Sequence, residues 1–221
     1  MKKINIAIDG PGGAGKSSIS KAVAKELGFI HVDTGAIYRA IALYAIRNQC
    51  TEPEQLTEQI EKISIELKFI GGVQRVLLCG EDVTDSLRSP EVSMMASKVS
   101  AIPAVRKHLL ELQKKIASEN NIIMDGRDIG TVVLPHADLK IFLTASPEER
   151  ASRRYLELRE KPDCPSYEEI LEDMKKRDYQ DMHREIAPLC QAEDAVLVDS
   201  SDMGFHEVEE HIVALIREKL D

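Results

Sequence analysis

Apolar residues alternate along Ile4, Ile6 and Ile8, the period of two that predicts a short β-strand. A glycine-rich stretch and the helical segment SISKAVAKELG follow it. The strand-like FIHVD (Phe29 to Asp33) then precedes a second helical run, AIYRAIALYAIRNQ. Further strands are expected at NIIMD (Asn121 to Asp125), LKIFLT (Leu139 to Thr144) and AVLVDS (Ala195 to Ser200). Strands alternating with helices indicate an α/β fold around a mainly parallel sheet. In SPEER, Ser146 and Glu149 are spaced as a capping box with Pro147 at the first helical position. The C-terminal helix sets Phe205, Val208, Ile212 and Leu215 at helical spacing, a face suited to packing on the sheet.

One stretch breaks this rhythm. From Ile63 to Phe69 apolar and polar residues alternate strictly, Gly71 and Gly72 offer a turn, and QRVLLCG follows. That pattern reads as an antiparallel hairpin within an inserted subdomain, placed at about Leu56 to Ser100. The helix PAVRKHLLELQKKIASEN then returns the chain to the core through Val105, Leu109, Leu112 and Ile116.

The 221 residues suffice for one good core, and the net charge of −9 disfavours a general nucleic-acid or membrane-surface binder. No apolar run approaches the ~20 residues of a membrane span, and INIAI is too short for a signal-peptide core, so a cytoplasmic protein is expected. Cys50, Cys79, Cys164 and Cys190 are scattered without a C-x-x-C pair and are read as reduced thiols. The six histidines make no metal-ligand pattern and are read as solvated or structural.

Chemistry enters at Gly10 to Ser18, GPGGAGKSS. Gly10, Gly15, Lys16 and Ser17 fill the pattern G-x-x-x-x-G-K-[ST] of a Walker A loop. Chance produces it in roughly one chain of this length in a hundred, and the flanking strand and helix lower that further. Backbone amides of such a loop cradle phosphates, the lysine reaches the far oxygens and the hydroxyl ligates magnesium. The expected ATP contacts are therefore Gly10, Pro11, Gly12, Gly13, Ala14, Gly15, Lys16, Ser17 and Ser18. Arginine also recurs beside aspartate: Arg39 ends DTGAIYR, DGRDIG holds Asp125, Arg127 and Asp128, and KRDYQDMHREIAP carries Arg177, Asp181 and Arg184. Two of these segments begin at the carboxyl end of an expected strand, where open α/β sheets bind ligands. A guanine-reading N-K-x-D is absent, which argues against a GTPase switch, and there is neither a G-x-S-x-G elbow nor a kinase H-R-D loop.

GPGGAGKS, DTGAIYRA, the helix beginning PAVR, DGRDIGTVV followed by KIFLTAS, ERASRR, and RD…D…R…APL occur in this order over nearly the whole chain. Together they closely resemble the bacterial cytidylate kinases, which are P-loop nucleoside monophosphate kinases. The resemblance implies a three-layer P-loop fold with a central, mainly parallel five-stranded sheet, an inserted antiparallel β subdomain and a helical lid at about 148–166. It implies transfer of the γ-phosphoryl group of ATP to CMP or dCMP with Mg2+, by a monomer. On this resemblance Arg39, Arg127 and Arg184 hold the CMP phosphate, Asp181 the sugar, and Ser97, Arg106 and Asp128 the base, with Asp33, Thr34 and Arg177 completing the site. Arg150, Arg153, Arg154 or Arg159, around the lid, closes over ATP, and Ser17 and Asp125 hold the metal. Lys16, Arg127, Arg184, Arg153 and Arg154 are the expected catalytic set. The competing roles are structural: an ion pair of Asp181 with Arg177 or Arg184, and of Asp128 with Arg127. KPDCPSY is poor in the glycine expected of a flexible lid.

Overall fold

A computed structural model describes residues 3–160 and 164–220. Strand β1 (Asn5–Asp9) leads into helix α1 (Lys16–Leu27), followed by β2 (Ile30–Asp33) and α2 (Thr34–Arg47). Next come α3 (Pro53–Gln59), the strands β3 (Ile65–Ile70), β4 (Val73–Leu78) and β5 (Glu81–Asp82), and α4 (Pro90–Val99). Helix α5 (Pro103–Glu119) precedes β6 (Ile122–Gly126), β7 (Leu139–Thr144) and α6 (Pro147–Leu158), and the chain closes with α7 (Tyr167–His183), β8 (Val196–Asp199) and α8 (Phe205–Leu220). The expected lid covers α6 and the connection to α7; its residues 161–163 lie outside the described residues.

Five strands form one parallel sheet in the order β2-β6-β1-β7-β8. Both faces are covered, so apolar residues point both ways along each strand. Ile6 and Ile8 join Ile123, Ile141 and Leu143 under α1 and α8, while Ala7, Ile122 and Met124 face the other layer with α2 and α5. The register brings Asp9 beside Gly126 and Asp33 beside Asp125, so three motif-bearing loops leave the same edge of the sheet together.

The hairpin expected from the sequence is β3–β4, turning at Gly71 and Gly72, whose φ values of 59° and 76° are both left-handed. Two such residues match the twist of the flanking strands, and glycine adopts them without a Cβ clash. With β5 it makes a separate three-stranded antiparallel sheet. Ile65, Val76 and Leu78 of that sheet, Leu56 of α3 and Val92 and Val99 of α4 are buried in the same cluster as Val32 and Met124 of the parallel sheet.

Two local expectations are corrected. Ser146 accepts the Glu149 N–H at 3.1 Å, but its own N–H goes to Ser201 Oγ at 2.9 Å and the Glu149 carboxylate to Arg153 at 2.9 Å, so only half a capping box forms. The full box caps α7, at Ser166 and Glu169. On α8 the buried stripe is Val208, Ile212, Val213 and Ile216, and Phe205 stays 47% exposed. Phe205 opens the helix, and Val208 is the first side chain to reach the core beneath the sheet.

Candidate active site

The loop between β1 and α1 is shaped by what glycine permits. Gly10 has φ 147°, and a Cβ there would lie 1.9 Å from the Leu143 carbonyl oxygen of β7. Gly13 and Gly15 have φ of 79° and 83°, so the chain turns its amides inward before α1 starts. Lys16, at the first position of α1, is buried, and its ammonium donates to the Pro11 carbonyl at 2.7 Å. Burial, and then the charge of Arg127, hold its pKa well below the ordinary lysine value.

This loop forms one wall of a cavity of about 350 Å³. Gly12, Gly13, Gly15, Lys16, Ser17 and Ser18 line it from the loop side. Across from them stand Arg39, Arg106, Arg127, Arg177 and Arg184, together with Asp33, Thr34, Ser97, Asp125, Asp128 and Asp181. Six cationic side chains thus face five carboxylates, Glu157 of α6 included, inside a chain of net charge −9. Two of the cations keep donors in reserve. Arg39 has a buried Nε with no partner, and among the described residues Arg177 has no hydrogen-bond partner. Partial desolvation within the cavity, and then the nearby Arg127, lower the Arg177 pKa, although the residue as a whole stays exposed. Guanidinium groups with unused donors, one of them a buried Nε, suit an anion.

The aspartates aim these arginines. Asp33 caps α2 by accepting the Ala36 N–H through Oδ1 at 3.0 Å and binds Arg39 Nη2 through Oδ2 at 2.8 Å. Asp181 accepts from Arg127 Nε at 2.9 Å, not from Arg177 or Arg184. Asp128 binds Arg106 Nη2 and, at 3.3 Å, Arg184 Nη2, rather than Arg127. These partners differ from both rival ion pairs weighed for Asp181 and Asp128. They follow from α5 and the end of α7 both reaching the DGRD turn, which sequence neighbours do not reveal. Burial raises the Asp128 pKa against the pull of Arg106 and Arg184. Arg106 also donates to the Ser100 carbonyl at 3.1 Å and lies 5.6 Å from the centre of the Tyr38 ring, whose phenol is pushed up to about 12 by burial. Arg184 Nε donates at 2.6 Å to the carbonyl of Ala187, a left-handed non-glycine residue with φ 49°.

Ser17 Oγ donates to Asp125 Oδ2 at 2.7 Å, so the two oxygen ligands expected for a metal stand side by side. The other carboxylate oxygen meets His31 Nε2 at 2.6 Å. Burial would raise the Asp125 pKa, but the hydrogen bond and electrostatic pull of His31, with Ser17 and Lys16, outweigh it and hold the carboxyl below its ordinary range. Thr34 Oγ1 is committed to the Asp125 carbonyl at 2.7 Å.

The four arginines expected over ATP stand outside the cavity lining. Arg150 is 2% exposed and donates to Ala145 O, to Gly12 O at 2.8 Å and to Asp178 Oδ2 at 2.6 Å, bracing the phosphate loop from behind. Arg153 is held by Ser200 O at 2.6 Å and by Glu149, Arg154 by Glu157 at 2.9 Å, and Arg159 is exposed at the end of α6. Gly10, Pro11 and Ala14 shape the loop without lining the cavity.

Sequence reasoning missed His31 and Asp9. Asp9 accepts the N–H groups of Ile129 at 2.8 Å and Gly130 at 2.7 Å, fixing the π-helical turn Ile129–Val133 that follows Asp128. Burial pushes its pKa up to about 6 in spite of those two bonds. Its place as a strand-ending carboxylate directly before Gly10 was the available signal.

The family model described as Cytidylate kinase matches residues 6–218. The chain belongs to that family. Among curated cytidylate kinases, that of Caldicellulosiruptor saccharolyticus is 54% identical over 97% of this chain and 96% of its own length. That of Desulfitobacterium hafniense is 48% identical over 100% and 95%. A crystal structure of an uncharacterized protein from Eubacterium ventriosum shares the fold, with a TM-score of 0.53 and 14% identity over 98% of this chain and 99% of that one. As a cytidylate kinase family member the chain is a P-loop enzyme of small-molecule phosphates, and among the described residues no helix is long and apolar enough to cross a membrane.

Proposed function

We infer that this protein transfers the γ-phosphoryl group of ATP to CMP or dCMP, giving ADP and CDP or dCDP. The observation that carries the reading is the second anion site beside the phosphate loop: Arg39 and Arg177 keep free donors in the cavity that Lys16 enters. The nucleophile is a phosphate oxygen of the acceptor, whose second pKa near ~6 leaves it largely ionised at neutral pH. No general base is needed. What remains is to hold two anions in line and spread their charge over cations and amides.

The P-loop amides and Lys16 hold the ATP phosphates, and Arg39, Arg127, Arg177 and Arg184 orient the acceptor phosphate. Asp181 faces the sugar, and Ser97, Arg106 and Asp128 face the base. The paired oxygens of Ser17 and Asp125 fit a small hard cation, so these residues would hold Mg2+. Bound there, the ion would neutralise charge on the transferring phosphoryl group. The inserted segment at about 56–100 carries the base-side wall and that at about 148–166 acts as the lid, with Arg153, Arg154 or Arg159 turning toward ATP as it closes while Arg150 braces the phosphate loop. The enzyme works as a monomer in the cytoplasm. A panel of nucleoside monophosphates incubated with ATP and Mg2+ tests the reading. CDP formation well above UDP, AMP-derived and GMP-derived products is expected, and ATP consumption independent of any monophosphate overturns it.

A further inference from the structure

Strand β2 is an edge of the parallel sheet, so the peptide group of its last residue, Asp33, has no neighbouring strand on its outer side. A single side chain takes that place. Gln74 of β4 accepts the Asp33 N–H through Oε1 at 3.0 Å and donates Nε2 to the Asp33 carbonyl at 3.2 Å. Only a carboxamide offers one donor and one acceptor in this arrangement, so the contact is matched to a peptide group rather than to a charge.

Asp33 passes that constraint on. Its carboxylate divides between the first turn of α2 and Arg39 Nη2, and the turn between them is tightly packed. A Cβ on Gly35 would come within 3.0 Å of Asp33 Oδ1 and 3.3 Å of Arg39 Nη1. Arg39, so held, keeps its buried Nε unpartnered. Attachment of the inserted sheet does not depend on this contact, because Ile65, Val76 and Leu78 anchor it in the main core.

We propose that Gln74 is a positioning residue for the acceptor phosphate: its carboxamide fixes the Asp33 peptide, and Asp33 in turn aims Arg39 into the cavity. The inference rests on the functional reading above and adds to it a link from the inserted sheet to one phosphate-binding arginine.

The test compares Gln74→Leu in the wild-type and Arg39→Ala backgrounds, using whichever monophosphate the wild-type enzyme accepts. A substrate other than CMP would thus count against the functional reading and leave this test standing. In the wild-type background KM for the monophosphate should rise about tenfold, with kcat and KM for ATP changed by less than about twofold. In the Arg39→Ala background the same substitution should add less than about twofold, because the group it acts through is gone. A tenfold rise in both backgrounds would overturn the proposal, as would parallel losses in both KM values accompanied by a lower Tm, the pattern of a merely structural contact.

Discussion

At the scale of single residues, the site is a set of charges held where burial opposes them. Lys16 is the clearest case, since burial and Arg127 both disfavour its ammonium in the folded protein. Its charge is tolerated for the sake of a ligand. Lys16→Ala should therefore leave the nucleotide-free fold at least as stable, while kcat falls by about two orders of magnitude or more, the loss typical of an oxyanion donor. Thermal melting beside steady-state kinetics checks both halves, and near-normal turnover would remove the loop from the mechanism. In the proposed reaction Asp128 bears on base choice. Cytosine offers an amine donor where uracil offers a carbonyl, so an acceptor at Asp128 favours CMP and leaves unpaired groups with UMP. Asp128→Ala should cost CMP roughly 1.5 to 3 kcal/mol in kcat/KM and UMP much less. The rival is that Asp128 serves only to join Arg106 and Arg184. An unchanged CMP-to-UMP ratio would decide for that rival.

At the scale of elements, the carboxyl edge of the sheet is tied together by Asp9, which ends β1 and grips the turn after Asp128 from 120 residues away in sequence. The strand end that leads into the phosphate loop and the turn after Asp128 are thereby joined through one side chain. Facing Asp9 are Asp128, Lys16 of α1 and the Lys140 chain of β7, which packs on Gly130, and burial is the largest influence. Its pKa rises from an ordinary 3.8 to about 6 in the folded state, so the folded protein binds more protons than the unfolded chain between those values. Stability from this group is full below the lower value and is lost as pH rises through the upper one. The whole titration amounts to on the order of 3 kcal/mol, of which about 2 kcal/mol falls between roughly pH 4.5 and 6.5. Urea unfolding of wild type and Asp9→Asn at those two pH values should show the wild type losing that much relative to the variant; a constant difference would refute the shift.

Such ties also mark what a sequence can and cannot disclose. The loop and α1, the β3–β4 hairpin and most strand limits were legible, because each is written in the local order of apolar, polar and glycine residues. So were most of the cavity residues, through motifs at strand ends. Asp9 with Ile129, His31 with Asp125 and Gln74 with Asp33 were not, being 120, 94 and 41 residues apart. They exist because of strand order and the way the inserted sheet docks. The lid arginines show the converse case. Their motif was visible, but the partners that hold Arg150 and Arg153 in this structure come from the P-loop, α7 and the end of β8.

At the scale of the whole molecule, the question is whether the inserted segment folds as a separate unit. Its apolar side chains do not form a core of their own. Leu56 of α3 is fully buried in a cluster that runs from Val76 and Leu78 of the inserted sheet through Ile37 and Ile41 of α2 to Val32 and Met124 of the parallel sheet. Removing its side chain leaves a cavity in the cluster to which both sheets contribute, at a cost of about 2 to 5 kcal/mol, a large part of the roughly 5 to 15 kcal/mol that holds a typical domain folded. Leu56→Ala should therefore lower the denaturation midpoint of the entire protein in one transition. The chain has no tryptophan and five tyrosines, of which Tyr38 and Tyr44 pack against this cluster, so with Tyr155, Tyr167 and Tyr179 of α6 and α7 replaced by phenylalanine, tyrosine fluorescence follows the shared core while far-UV circular dichroism follows all helices, α8 on the far face included. The two signals should move together to the same lower midpoint. Were the fluorescence change to separate from the helical signal, the inserted segment and the parallel sheet would be independent folding units, and motion of the base-side wall would cost far less than a common core implies.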